Sequence, residues 1–447
     1  MKALALSLAI VLAGCTVGPN YQRPKIVPPT VYRGDTNAST SSLGDEKWWA
    51  VFDDPVLQQL IHTALAQNYD VRIAATRILQ AQARLGITRA DQFPTISGAL
   101  AFTAQKISFG KFAATQLQGA LSYDFDFWGR YRRATEAARA NLLASQWSRR
   151  TVVATLVSSV AATYFQLREL DLTLEVSQRT LASRRQSLAL TETLANGGAT
   201  SLLDVKQAQQ LVETAAAAVP ELQQQIALAE DALSDLLGQY PSDIPRGKPL
   251  TEQPLPPAVP AGLPSHLLEH RPDIQEAEQN LIAANAEIGV ARAQLFPDVS
   301  LTGAGGGAAN GLSHLGTVYS LTAGATQQIF NAGRLRSNVR LSEAEQQQQL
   351  LVYQQTIQTA FREVSDALVG YQRNRESREH QELLTAAARD ASSLSDLRYR
   401  GGAASYLEFL TNETNFFSAE LNLARARLAE RLSLVQLYNS LGGGWEQ

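Results

Sequence analysis

Gly197-Gly198-Ala199 recurs as Gly401-Gly402-Ala403, 204 positions further along the chain. At the same spacing Gly129-Arg130 returns as Gly333-Arg334, and Leu237-Gly238 as Leu441-Gly442. Upstream, Ile87-Thr88-Arg89-Ala90-Asp91-Gln92-Phe93-Pro94 loosely matches Val290-Ala291-Arg292-Ala293-Gln294-Leu295-Phe296-Pro297, the Phe-Pro pairs lying 203 apart. Punctuation, apolar positions and order agree over about 170 residues per copy, which identifies an internal duplication.

Each copy reads as helix, two strands, very long helix, turn, helix. The first helix opens at Asp54-Pro55, where Asp is a preferred N-cap and Pro suits the first helical position. Residues 130–195 contain neither Pro nor Gly. Within them Val153, Val160, Leu167, Leu174 and Leu181 repeat every seven, with Leu156 and Leu170 in the second seam position. Ile357, Val364 and Tyr371 occupy the corresponding places in copy two. Sustained seven-residue spacing predicts coiled-coil-like packing, and roughly 65 helical residues make a rod of about 100 Å. Pro220 is expected to kink the return helix of copy one.

Four short alternating segments lie between the helices. In 116–127, Leu117, Leu121, Tyr123, Phe125 and Phe127 share a face with Gly119, and Gln118, Ser122, Asp124 and Asp126 take the other. In 318–329, Tyr319, Leu321, Ala323 and Ile329 oppose Ser320, Thr322, Thr326 and Gln328. Ile96, Leu100 and Phe102 stand against Ser97 and Thr103, and Val299 and Leu301 against Ser300 and Thr302. Strands are expected at about 95–106, 115–128, 298–306 and 317–330. A water-soluble sheet packed on helices would alternate too. Aromatic residues gathered at Phe125, Phe127 and Trp128, where a strand meets the long helix, favour an outer-membrane barrel with an interfacial girdle. Asp124 and Asp126 would then face the barrel lumen. Four strands cannot close a barrel, and lipid tolerates no open edge, so several copies must share one. Three copies would give twelve strands; arithmetic also permits two or four.

Composition places limits on the rest. The 447-residue chain is 45% hydrophobic and 18% charged, with net charge −3, one Cys and one Met. A charge so near zero argues against nucleic-acid binding, and one Cys excludes a disulfide framework or a Cys-based metal site. No apolar run is long enough for a membrane-spanning helix. Met1-Lys2 followed by the apolar stretch Ala3 to Ala13 reads as a secretory signal. Leu12-Ala13-Gly14-Cys15 resembles the bacterial lipobox, whose Cys is lipidated and becomes the mature N-terminus. With Thr16 next, the resemblance implies sorting to the outer membrane. The expected organisation is a signal at 1–14, a lipidated arm and equatorial segment at 15–53, repeat one at 54–240, a linker at 241–264 holding eight of the seventeen prolines, and repeat two at 265–447.

Trp48-Trp49, Phe52, Asp54-Pro55, Leu57, Leu60-Ile61, Ala64-Leu65, Asn68 and Asp70 resemble the entry motif of outer membrane factors, the TolC/OprM-type exit ducts of tripartite efflux pumps. His270-Arg271-Pro272-Asp273-Ile274 is similar to the Arg-Pro-Asp-Ile element of their NodT-like lipoprotein branch. The resemblance covers almost the whole mature chain. It implies a mainly α protein with a small β part: a homotrimer whose shared 12-stranded barrel continues into a long periplasmic α-helical barrel. It further implies a passive duct, not an enzyme, for drugs, other small molecules or metal ions. Its partners would be a periplasmic adaptor and an inner-membrane transporter of RND type, with outer membrane lipid around the barrel. No cofactor is implied beyond N-palmitoyl and S-diacylglycerol groups on Cys15. Gly197, Gly198, Gly401 and Gly402 would form adaptor-docking tip turns, although Gly after a long helix is first a C-cap. Asp204, Tyr399 and Glu408 fall on the family's periplasmic gate. The family also has an Arg at Ala404 and an Asp at Thr411, which this chain lacks. Three copies of Asp204 and Glu408 around a narrow tube would raise carboxylate pKa values and attract cations.

His266-Leu267-Leu268-Glu269-His270 matches the His-x-x-Glu-His pattern of inverted zinc proteases. Pro264 and Pro272 leave scarcely one turn, no third ligand is suggested, and no metal is expected. Gly303-Ala304-Gly305-Gly306-Gly307 lacks the following helix of a phosphate loop and reads as a strand end and exposed loop; its copy-one counterpart is about Gln105 to Thr115. Alternatives to the efflux duct are a type I protein-secretion exit channel, a non-conducting structural coiled-coil lipoprotein, and a hydrolase built on His266, Glu269 and His270.

Overall fold

The computed structural model describes residues 16–33, 41–107, 110–253, 259–310 and 316–445; the signal segment and Cys15 lie outside them. A short 3-10 turn at Leu43–Asp45 precedes α1 (Trp48–Val51), α2 (Pro55–Gln67) and α3 (Tyr69–Ala90). Then come β1 (Thr95–Ile107), β2 (Gly110–Phe125), α4 (Arg130–Asn196) and α5 (Leu202–Leu236). The second half repeats the order with α6 (Pro264–His270), α7 (Pro272–Ala293), β3 (Asp298–Asn310), β4 (Gly316–Thr326), α8 (Arg334–Arg400) and α9 (Tyr406–Ser440). Both ends of β3 lie 203 residues beyond those of β1. Both ends of α8 and of α9 lie 204 beyond those of α4 and α5. The duplication therefore extends to element boundaries.

Two helices, not one, precede the strands in each copy. Asn68 makes the break in copy one: its Oδ1 accepts from the N–H groups of Asp70 (2.8 Å) and Val71 (3.2 Å), capping α3. Its Nδ2 donates to the Leu236 carbonyl at 3.0 Å. In copy two Pro272 enforces the break, because it cannot donate to α6. Helix α5 continues through Pro220 over its 35 residues.

The chain divides into two compact units. One comprises Met1–Ile26, Ala75–Ser148 and Asp273–Thr356 and contains the sheet, antiparallel in the order β1-β2-β3-β4. The register aligns Ile96 with Leu121 and Leu100 with Leu117. It aligns Tyr123 with Leu301 and Phe125 with Val299. Leu301 pairs in turn with Ala323, and Gly303 with Leu321. Side chains alternate across a strand, so these apolar residues, with Phe102 and Tyr319, share one face. Ser97, Gln118, Ser122, Asp124, Ser300, Thr302, Ser320 and Thr322 share the other.

The strand limits differ from the expected ones. β1 and β2 extend to Ile107 and from Gly110, so the expected loop at 105–115 is mostly strand. Gly303–Gly307 lies inside β3 and does not form a loop. Gly306 is there for close approach: a Cβ on it would lie 1.9 Å from the Leu117 carbonyl oxygen. β2 ends at Phe125 and β4 at Thr326, leaving Asp126, Phe127, Gln328 and Ile329 outside the strands. The aromatic residues do gather at the strand–helix junction. Phe125 and Phe127 stack at 5.6 Å and Trp128 on Phe296 at 4.6 Å, and the Trp128 indole donates to the Pro297 carbonyl at 2.9 Å.

The second unit comprises Val27–Ala74, Arg149–Pro272 and Ile357–Gln447. Its seam buries Val153, Leu156, Val160, Leu167 and Leu170 on α4 and Ile357, Val364 and Tyr371 on α8. Leu174 and Leu181 are only half-buried. The stripe instead passes through Val176, Ser177, Thr180, Arg184 and Thr191. Beyond Leu170 the buried line lies on the face of α4 turned to α5 and α9, where Arg184 bonds the Leu211 carbonyl and Glu413.

Asp54 organises the proline-rich linker. Its Oδ1 accepts from the N–H groups of Val56 (2.9 Å) and Leu57 (3.4 Å), capping α2. Its Oδ2 accepts from the Tyr164 hydroxyl (2.9 Å), the Lys248 N–H (3.1 Å) and the Gln253 amide (2.6 Å). Burial alone would push this carboxyl up; the Gln253, Tyr164 and backbone donors outweigh it and hold it below the usual range. A Cβ on Gly247 would lie 2.2 Å from Asp54 Oδ1, so only Gly fits there.

Candidate functional site

The paired turns that close the long helices have identical hydrogen bonding. Ala199 N–H donates to the Leu194 carbonyl and Gly198 N–H to that of Ala195; Ala403 and Gly402 do the same to Arg398 and Tyr399. Gly198 (φ +76°) and Gly402 (φ +71°) occupy the left-handed region. Open space surrounds both, so Gly is required there for its backbone and not for room. The next residues start the return helices. Ser201 and Ser405 each accept from the N–H three residues on, at Asp204 and Glu408.

Two of the three expected gate residues thus sit at the third position of a helix they help begin. The Asp204 carboxylate accepts from the Thr200 hydroxyl and, at 3.1 Å, from the Ser201 N–H. These bonds, Thr200's foremost, hold its carboxyl below the usual range. The expected upward shift belongs to three copies crowded around one tube; within a single chain, local donors set the direction. Glu408 pairs with Arg398 at 3.2 Å.

Tyr399 stacks on Phe409 at 5.5 Å and contacts Tyr406 at 5.5 Å, in a cluster with Leu188, Ala208 and Leu410. Its hydroxyl is buried without a hydrogen-bond partner among the described residues. Burial pushes the neighbouring Tyr406 hydroxyl up to about 12. Arg184 ties three helices together here: its guanidinium donates to both Glu413 oxygens (3.1 and 3.2 Å) and to the Leu211 carbonyl (3.2 Å). Sequence reasoning missed the exposed leucines beside the turns. Leu203 and Leu407, 204 apart, are 64% and 62% exposed, and their recurrence was the available signal.

In the sheet-bearing unit, Asp124 lies on the polar face of β2 and accepts from the Tyr131 hydroxyl at 2.9 Å. Asp126 lies beyond the strand. Its carboxylate accepts from the N–H groups of Tyr131 (3.2 Å) and Arg132 (3.0 Å) and pairs with the Arg132 guanidinium at 3.2 Å. Asp126 therefore lies just past β2 and caps the start of α4, and Gly129 at φ +79° makes the turn into that helix.

The apolar face of the sheet has no cover among the described residues. Ile96, Leu100, Tyr319 and Leu321 are 79%, 73%, 86% and 74% exposed. No helix among the described residues is long and apolar enough to cross a membrane. The His266 cluster also differs from expectation. Glu269 is not part of it; Asp45, from the arm, brings a carboxylate to both imidazoles.

Comparison with known proteins agrees with this anatomy. The family model for outer membrane efflux protein matches residues 60–239 and 263–443, one match for each copy. The chain is 34% identical over 460 residues to the cation efflux system protein CusC of Escherichia coli, covering 100% of this chain and 99% of that one. It is 36% identical over 470 residues to the probable efflux pump outer membrane protein TtgC of Pseudomonas putida, covering 100% and 96%. The open-state outer membrane channel MtrE of Neisseria gonorrhoeae superposes with a TM-score of 0.90 at 30% identity, covering 97% and 99%.

Proposed function

The chain belongs to the outer membrane efflux protein family, as an outer-membrane efflux channel extending into the periplasm and not an enzyme, and on that premise we propose that three copies share one twelve-stranded barrel through which cargo leaves the cell. Its partners are a periplasmic adaptor and an inner-membrane transporter. The observation that carries the shared barrel is the open four-stranded sheet with its uncovered apolar face. β1 and β4 each keep one edge unpaired in the single chain. In lipid, every backbone N–H and C=O needs a partner, and only edge-to-edge closure with further copies supplies them. The apolar face then meets lipid, and the polar face, Asp124 included, lines the lumen.

The turns at Gly197-Gly198 and Gly401-Gly402 dock the adaptor, with Leu203 and Leu407 as the apolar contacts. Asp204, Tyr399 and Glu408 form the constriction. The unpartnered Tyr399 hydroxyl supports a role between chains. Cys15 carries the N-palmitoyl and S-diacylglycerol groups that tether the arm to the outer membrane. The transporter is of RND type, and the cargo is drugs, other small molecules or metal ions. Selection rests with the transporter.

Planar-bilayer recording of the purified trimer tests the proposal. Discrete conductance steps are expected, larger in Asp204→Ala and Tyr399→Phe. A correctly assembled trimer that conducts nothing in any of the three forms overturns the duct. Cross-linking at Gly198 or Gly402 identifies the adaptor and pump that copurify.

A further inference from the structure

We propose that Asp45, His266 and His270 form a divalent transition-metal site, of the kind Zn2+ occupies, that clips the N-terminal arm to the first helix of the second repeat. All three residues belong to the same compact unit. Asp45 Oδ1 lies 3.8 Å from His266 Nδ1 and 3.7 Å from His270 Nδ1, and the candidate ligand atoms all lie within 4.8 Å of one another. Zn2+ holds nitrogen and oxygen ligands at about 2.0–2.2 Å, which puts two ligands of a tetrahedral site about 3.4 Å apart. The side-chain tips need move by less than about 1.5 Å to reach that geometry.

The two imidazoles stack at 3.8 Å between centroids, 28° from parallel, and both turn Nδ1 towards one carboxylate oxygen. A simple ion pair needs one imidazole; two converging on a single oxygen from positions four apart on a helix make a His2Asp donor set. Such a set suits borderline divalent cations and leaves a fourth position for water.

The ligands are held from both sides, as a metal site requires. Leu43 is buried, its N–H donates to the Pro260 carbonyl at 2.8 Å, and Ser42 bridges to Ala261. The Tyr438 hydroxyl donates to the Glu46 carbonyl at 2.7 Å, fixing the backbone just after Asp45. On the helix, Leu267 is buried and Arg271 donates to the Ser440 carbonyl at 3.1 Å, so the His266–His270 face is turned outward to the arm. Sequence pattern directs attention to Glu269 as the chemical group. The geometry replaces it with Asp45, more than two hundred residues earlier, and gives the site a structural and not a hydrolytic character.

The test uses the full, untagged trimer in detergent, stripped with EDTA and titrated with zinc sulfate by calorimetry, with elemental analysis after gel filtration. About one Zn2+ per chain is expected, with a rise in the thermal midpoint of helix loss. The double variant His266→Asn/His270→Asn removes both effects while keeping its circular dichroism and trimer size. Asp45→Asn weakens binding about tenfold or more, and Glu269→Gln leaves it unchanged. Absence of stoichiometric binding in the parent overturns the site. So does binding that survives the double variant, or that is lost with Glu269→Gln. None of these readouts depends on conductance, so the site and the duct stand or fall separately.

Discussion

Replacing Asp54 with Asn tests whether one carboxylate holds the proline-rich linker to the helices. Three donors converge on Oδ2, from Tyr164, Lys248 and Gln253, and two on Oδ1, from Val56 and Leu57. An amide in either orientation presents its own N–H groups to one of these sets. At least one strong donor, and up to three, then lose an acceptor in a buried site. At about 1–3 kcal/mol for each buried unsatisfied group, the expected loss is about 2–4 kcal/mol at pH 7. A trimeric membrane channel unfolds irreversibly, so the measurement is the half-life of the helical circular dichroism signal at a fixed high temperature. If the knot opens before the unfolding barrier, the half-life at such a temperature shortens about 15-fold or more. The pH dependence has a definite sign. Folded Asp54 holds its proton less tightly than in the unfolded chain, because its carboxyl is shifted below the ordinary carboxylate value. Its contribution is therefore complete above that unfolded value and is lost as pH falls through the lower folded one. The gap between parent and Asp54→Asn should be wide at pH 7 and close only at the acid end. Half-lives within twofold of each other at pH 7 would refute the knot, as would additive effects when Asp54→Asn is combined with Gln253→Ala.

Three further outcomes follow from named contacts. Leu117→Arg places a charge on the face assigned to lipid, at a cost of about 2–4 kcal/mol near the bilayer midplane, and should abolish the heat-modifiable trimer in outer-membrane fractions. Gln118→Arg, on the opposite face, should assemble. Gly306→Val drives a side chain into the Leu117 carbonyl, 1.9 Å from the ideal Cβ, and should block assembly on the same gel, whereas Gly305→Ala, with nothing within 4 Å, should be tolerated. Ser201→Ala and Ser405→Ala each remove an N-cap worth about 1 kcal/mol and should speed amide exchange in the first turns of α5 and α9; unchanged exchange there would show that the caps are idle.

The sequence carried the architecture because its signals are local and written twice. Recurrent Gly-Gly turns mark helix ends through a backbone requirement that only glycine meets cheaply. Period-two and period-seven patterns mark strands and seams for the same reason: each residue's face follows from its own position. The sheet's apolar face was legible from Leu117, Leu121 and Leu321 on those grounds, and the need for further copies followed from counting strands. Boundaries were less legible. The strand and loop at Gly303–Gly307 were misassigned because glycine's low strand preference hides a packing reason, the close approach to β2.

Tertiary structure decided what depends on partners far away in the chain. The bond from Asp54 to Gln253 spans 199 residues, and that from Tyr438 to Glu46 spans 392. No periodicity announces either. Within one chain the Thr200 hydroxyl and the Ser201 N–H lower the Asp204 carboxyl, and they meet it only in the folded turn. The buried line leaves Leu174 and Leu181 for the face that carries Ser177, Thr180 and Arg184, because α5 and α9 lie against that face. The approach of Asp45 to two histidines came from an arm folding back on the second repeat. Amino-acid order fixes which faces are apolar and where the backbone must turn, since those are properties of neighbours. Which polar groups satisfy one another is set only when distant segments are brought within hydrogen-bond reach.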